Sequence, residues 1–170
     1  DICGNVGSVE YAMKIISLAN ALNNEVDTVV VGATGEFDGT IYVGSRMSDG
    51  TNKLYAINAS DFTTKWSFDI DGKLVGIPYP FYDTGESKWI IYFGTDNNSL
   101  YAVRDNTTSG EQKWKITSVP PVTTTVICDG TNLYYGSSDK YVYARACSDG
   151  SEAWQSSGAT GDTIYSTPSL

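Results

Sequence analysis

The chain has 170 residues, 41% of them hydrophobic, enough to bury a core and too many for a disordered segment. Eleven Lys and Arg against twenty Asp and Glu leave a net charge of −9, which disfavours nucleic acid and anionic membrane surfaces as partners. Histidine is absent, which removes a His-based triad, His metal ligands and His-ligated haem.

Twelve Tyr, many Gly, Ser, Thr and Asn, and only 18% charged residues favour strands and turns over helices. No apolar run reaches the roughly 18 residues of a membrane-spanning helix, so no membrane span is expected. The first residue is Asp1, which reads either as a removed leader or as part of a longer chain. The Ser/Thr/Asn/Tyr-rich composition suits an exported protein: extracellular, on the cell surface or periplasmic.

Residues 1–27 stand apart from the rest of the chain. Val9, Ala12, Met13, Ile15, Ile16, Ala19 and Leu22 recur at helical spacing, Ser8 is a candidate N-cap, and Asn23-Asn24 a candidate stop. This pattern predicts a helix over 8–22. The rival reading makes Val9–Met13 a strand.

From residue 28 onward the chain repeats. Ile41-Tyr42-Val43-Gly44-Ser45, Leu54-Tyr55-Ala56-Ile57 and Lys65-Trp66 form one unit. Ile91-Tyr92-Phe93-Gly94-Thr95, Leu100-Tyr101-Ala102-Val103 and Lys113-Trp114 form a second. Leu133-Tyr134-Tyr135-Gly136-Ser137, Val142-Tyr143-Ala144-Arg145 and Ala153-Trp154 form a third. The glycines recur after 50 and 42 residues and the tryptophans after 48 and 40, a period that means four short strands per unit. First strands are placed at Thr28–Gly32, Leu74–Tyr82 and Val122–Cys128. Asp38-Gly39, Asp49-Gly50, Asp71-Gly72, Asp129-Gly130 and Asp149-Gly150 are read as hairpin turns.

The expected fold class is all-β. It is a partial β-propeller of about three four-stranded antiparallel blades (28–69, 74–116 and 122–156) plus one extra strand, with a short N-terminal helix. The extra strand, Thr163–Leu170, is read as the first of a further blade.

These units resemble the pyrroloquinoline-quinone-like (quinoprotein alcohol dehydrogenase-like) β-propeller repeat, over about residues 28–170, in its non-catalytic scaffold form. The family's tryptophan-docking motif runs roughly Ala-x-Asp/Asn-Ala-x-Thr-Gly-x-x-x-Trp. Ala56 to Trp66 has that length with Phe62 in the Gly position; Ala144 to Trp154 keeps Gly150; Ala102 to Trp114 is two residues longer and keeps Gly110. The resemblance implies that Trp66, Trp114 and Trp154 are structural, each lying flat between blades, with Gly44, Gly94 and Gly136 as repeat glycines.

The quinoprotein dehydrogenases of this fold carry an adjacent Cys-Cys pair, a Ca²⁺ site and eight blades. None of these is present here, so no cofactor, metal or catalytic residue is assigned. Asp69-Ile70-Asp71-Gly72 opens like a Ca²⁺ loop, but no Glu closes it. Asp96-Asn97-Asn98 and Asp105-Asn106 are oxygen-rich too, and turn chemistry accounts for all three. Asp69 and Asp71, at alternate positions, are expected on one solvent face.

The chain has three cysteines. Cys128 ends the first strand of the third unit and Cys147 follows its third strand, on the same side. Two strands apart is about 10 Å, so the candidate disulfide Cys128–Cys147 needs the loops to bend inward. Cys3 is left over. Asn58, Asn97 and Asn106 head glycosylation sequons.

The expected function is non-enzymatic: an exported propeller scaffold or protein-interaction module, completed by another chain or a missing segment. Its partners would be a protein or further copies of itself. The alternatives are an extracellular filament or surface-layer subunit that shares strands between copies, and a fragment of a quinoprotein dehydrogenase.

Overall fold

The computed structural model describes residues 30–31, 39–46, 50–61 and 63–170, and contains twelve strands and no helix among them. The expected helix over 8–22, Cys3, and most of the expected strand Thr28–Gly32 lie outside the described residues.

The strands form three separate four-stranded sheets, each a simple antiparallel meander. The first blade holds β1 (Val30–Val31), β2 (Thr40–Arg46), β3 (Asn52–Asn58) and β4 (Thr64–Ile70). The second holds β5 (Leu74–Asp83), β6 (Lys88–Thr95), β7 (Leu100–Asp105) and β8 (Gly110–Ile116). The third holds β9 (Ile127–Cys128), β10 (Asn132–Gly136), β11 (Val142–Ala146) and β12 (Glu152–Gln155). Strand β5 packs beside β1 and β2 on one side and β9 on the other, while β4 packs beside β8. First strands therefore gather at one edge of the array and fourth strands at the other, the radial arrangement of propeller blades.

Two-sided burial explains the apolar runs. In β6, Ile91 and Phe93 join Tyr42, Leu54 and Trp66 of the first blade in one core. Their neighbours Ile90 and Tyr92 point the other way, into a core shared with Leu133, Tyr135 and Tyr143 of the third blade. A strand with a blade on each face has no solvent side, so the usual alternation of apolar and polar residues disappears.

Of the five Asp-Gly pairs, Gly39, Gly50, Gly130 and Gly150 adopt positive φ. Gly72 does not, and Asp71-Gly72 is not a hairpin: it links β4 to β5, which belong to different sheets. Its Cα lies so close to Asp96 and Asn97 that an added Cβ would come within 2.7 Å of Asp96 Oδ1.

The inner strand of the third blade is shorter than expected. Only Ile127–Cys128 forms a ladder, with Val122 making an isolated bridge to Ser137. Between them the Thr123 amide donates to the Gly136 carbonyl at 3.1 Å, and a side chain takes the other position: Thr124 Oγ1 accepts from the Gly136 amide at 3.0 Å.

Thr163–Leu170 is not a strand, because no partner ladder flanks it among the described residues. It is nevertheless placed. The Ile164 amide donates to Ser137 O at 3.3 Å, its carbonyl accepts Thr123 Oγ1 at 2.5 Å, and its side chain covers Gly136. Leu74 covers Gly44 and Val122 covers Gly94 in the same way. In each case a Cβ on the glycine would approach the Cβ of the covering residue to 2.7 or 2.8 Å, so only glycine fits. Ile164 thus occupies the place from which a further blade would start.

Candidate functional site: the docking surfaces between blades

The recurring tryptophan sits on the fourth strand of each blade, and Trp66 and Trp114 face the next one. The register pairs Trp66 with Ala56, Trp114 with Ala102, and Trp154 with Ala144, each just before a bulge. Each indole packs on a tyrosine from the second strand of its own blade: Tyr42–Trp66 at 6.0 Å, Tyr92–Trp114 at 5.9 Å and Tyr134–Trp154 at 6.1 Å between ring centres. The small alanine leaves room for both rings.

What each pair meets differs. Trp66 is 5% exposed and lies over Gly110, where a Cβ would come within 2.8 Å of the ring. Its indole N–H donates to Asp105 Oδ1 at 2.9 Å, and Tyr42 Oη donates to Asp105 Oδ2 at 2.6 Å. Trp114 is 8% exposed and lies over Gly150. Its indole N–H donates to the backbone carbonyl of Cys147 at 3.0 Å, and Tyr92 Oη donates to the same oxygen at 3.3 Å. Burial pushes the Tyr92 hydroxyl well above its usual pKa, so it remains a donor.

Trp154 is 45% exposed, with no hydrogen-bond acceptor among the described residues. Tyr134 and Trp154 therefore form a third surface of this kind, uncovered among the described residues. Tyr165 and Leu170, in the segment after this blade, are 78% and 75% exposed.

The sequence marks the tryptophans and glycines of these surfaces but not the acceptors. Asp105 and Cys147 stand at the same repeat position, three residues after Ala102 and Ala144, where the first blade has Ala59. A charged residue in an alanine slot was the available signal for Asp105. The tyrosines were visible as a recurring Tyr in each second strand.

The other candidate residues are drawn into structure. Asp69 and Asp71 do not converge: Asp69 is exposed and pairs with Lys53, whereas Asp71 leaves the strand. The Asp71 carboxylate accepts from Thr95 Oγ1 at 3.0 Å and Ser99 Oγ at 2.6 Å, with Lys115 Nζ at 2.8 Å. Burial opposes its ionisation, but Lys115, Ser99 and Thr95 outweigh it and hold its pKa at about 2. Glu86 is also held at about 2, by Arg104 and then Lys113.

Cys128 and Cys147 are brought together as free thiols, both buried in the core between the second and third blades. Among the sequon residues, Asn97 is exposed. Asn58 Nδ2 donates to Thr63 Oγ1 at 2.7 Å, and Asn106 Nδ2 to Glu111 Oε2 at 2.9 Å.

The family described as outer membrane protein assembly factor BamB matches residues 18–157. The chain belongs to the BamB family of pyrroloquinoline-quinone-like propellers. BamB from Moraxella catarrhalis superimposes on this BamB-family chain with a TM-score of 0.64 at 16% identity, over 85% of this chain and 45% of that one. The computationally designed Ika8 protein gives 0.60 at 9% identity, over 82% and 39%. A quinohemoprotein alcohol dehydrogenase from Pseudomonas putida HK5 gives 0.50 at 17%, over 74% and 26%. The chain thus spans less than half the length of each, and these likenesses speak to the fold alone. None of the curated proteins is significantly similar in sequence.

The quinone cofactor implied by the fold family's name is not matched by the residues present. The two described cysteines lie on separate segments inside a blade core, and no cluster of three metal-ligating side chains occurs among the described residues.

Proposed function

We propose that this BamB-family chain is a non-catalytic scaffold module, acting outside the cytoplasm, that binds protein partners through the open face of its third blade. The observation that carries this reading is the surface formed by Tyr134 and Trp154 beside the already seated Ile164. It repeats the Tyr–Trp pair of the two filled surfaces, with nothing covering it among the described residues and with the Tyr134 hydroxyl donating to Asp129 Oδ2 of its own blade at 2.8 Å. The carboxylates most suited to chemistry support the non-catalytic reading, since Asp71, Asp105 and Glu86 are all spent on structural hydrogen bonds and ion pairs. The three sequons and the polar, Lys-poor composition support the exported setting.

The occupant is a β-sheet unit that presents a glycine and an oxygen acceptor to Trp154, as Gly110 with Asp105 and Gly150 with Cys147 do. The first blade of a second copy is poorly suited to this role, because Phe62 stands in the glycine position. That disfavours a filament built by repeating this contact.

The test is a chain in which residues 123–156 are repeated directly after Ile164, the residue equivalent to Val122. If the face is a blade acceptor, Trp154 emission shifts to the blue, iodide no longer quenches it, and thermal stability rises. A Trp154 that stays solvent-exposed in that chain, with unchanged stability, overturns the reading.

A further inference from the structure

The two filled docking surfaces perform the same task with different chemistry at one repeat position. In the second blade that position is Asp105, whose carboxylate receives both Tyr42 and Trp66. In the third blade it is Cys147, whose main-chain carbonyl receives both Tyr92 and Trp114. Its side chain is thereby released from docking, and it turns into the core toward Cys128.

Both thiols flank the same hairpin. Cys128 ends β9 opposite Leu133 of β10. Cys147 directly follows Ala146, which pairs with Asn132 of β10, and the Cys147 amide donates to Thr131 O at 2.8 Å. The tight turn at Asp129–Thr131 and the bend after Ala146 bring together two segments that would lie about 10 Å apart in a flat sheet. Both cysteines are almost fully buried in one apolar cluster with Trp114, Tyr92 and Leu133. Two such thiols, drawn from segments distant in sequence, meet where no metal-ligating third group joins them among the described residues.

We propose that Cys128 and Cys147 form a disulfide, and that this bond anchors the carbonyl on which Trp114 and Tyr92 dock. The covalent bond would supply on the third blade the fixed acceptor that the Asp105 carboxylate supplies on the second. The inference does not depend on the open face of Trp154.

The chemistry is exchange with a small-molecule disulfide such as oxidised glutathione. The Cys147 thiol hydrogen-bonds to Cys128, and the Gly130 amide donates to Cys128 Sγ at 3.2 Å; together they lower the Cys128 pKa. Cys128 as thiolate attacks one sulfur of the glutathione disulfide, breaking its S–S bond and expelling one glutathione thiolate. Cys147 then gives up its proton and attacks the Cys128 sulfur of the mixed disulfide, expelling the second. Two protein thiols are oxidised by two electrons, one small disulfide is reduced to two thiols, and the two protons pass to those thiols. Burial makes the exchange dependent on local opening, so it is fastest during folding.

The test equilibrates the 170-residue chain in glutathione buffers from fully reduced to fully oxidised, then denatures it and alkylates free thiols. In the oxidised protein, one of the three cysteines should take label, a peptide linking Cys128 to Cys147 should appear, and the thermal midpoint should rise by roughly 5–10 °C. The Trp114 indole N–H, followed by NMR, should exchange more slowly on oxidation, with the Trp66 indole unchanged as internal control. Three labelled cysteines in every buffer, or a link that involves Cys3, overturns the disulfide. A Cys128–Cys147 link that leaves the midpoint unraised, or slows Trp114 no more than Trp66, overturns its anchoring role.

Discussion

The two blade-to-blade surfaces of this molecule share a skeleton and differ in what completes it. In both, a tryptophan of one blade covers a glycine of the next, and that tryptophan and the tyrosine packed on it donate two hydrogen bonds to one residue. Between the first and second blades that residue offers a carboxylate; between the second and third it offers a backbone carbonyl. The shared part, ring on glycine, is shape, and shape requires particular residues. The acceptor is only an oxygen in the right place, and several chemistries can put one there.

Removing the rings breaks the comparison most severely. Trp66→Ala and Trp114→Ala should each cost about 3–5 kcal/mol in denaturant unfolding, because both vacate a closed surface. Trp154→Ala, on the open face, should cost less than about 1 kcal/mol. Similar losses at all three positions would contradict an unoccupied third surface.

Closing the glycine gap comes next. Gly150 combines a φ of +74° with contacts to Ile116 and Trp114, whereas Gly110 meets only the covering side chains at ordinary φ. Gly150→Ala should therefore cost about 2–3 kcal/mol and Gly110→Ala about 1–2 kcal/mol, read from thermal midpoints.

Acceptor substitutions separate the two surfaces further. Asp105→Ala leaves the Trp66 and Tyr42 donors unpaired and should cost about 1–3 kcal/mol. Cys147→Ala in the reduced protein keeps its carbonyl, so it should cost only about 1 kcal/mol, for the lost sulfur packing. Equal costs would mean that Cys147 acts through its side chain.

The smallest effect is the response to acid. Asp71 and Glu86 both titrate near 2 in the folded chain, below the ordinary range near 4. A carboxylate with a depressed folded pKa contributes stability in full above its unfolded value and loses it as pH falls toward the folded one. The thermal midpoint should therefore hold down to about pH 5 and fall between there and pH 2. Asp71→Asn should flatten part of that fall, while Trp154→Ala should leave its slope unchanged.

The legible parts of this fold were those where a side chain has no substitute. Gly44, Gly94 and Gly136 recur because Leu74, Val122 and Ile164 leave no room for a Cβ. The tryptophans recur because no smaller ring fills the same gap. Asp71-Gly72 read as a hairpin because the dipeptide is the same whether the chain turns back or crosses to the next sheet. The inner strand of the third blade read as long because Val122–Cys128 has strand-forming residues. Nothing local shows that the Thr124 hydroxyl takes the Gly136 amide in place of a ladder bond. The acceptors escaped because Asp105 and Cys147 share a role that belongs to an oxygen rather than to a residue type.

The Cys147 carbonyl also bears on how such a chain can diverge. A main-chain oxygen is present whatever the codon, so docking through it leaves the side chain at that position available for another task, here the proposed bond to Cys128. One copy of a duplicated repeat can hold a carboxylate there and the next a thiol, with the packing between neighbours preserved. An architecture anchored in this way can drift to 16% identity with its BamB relative and keep its shape.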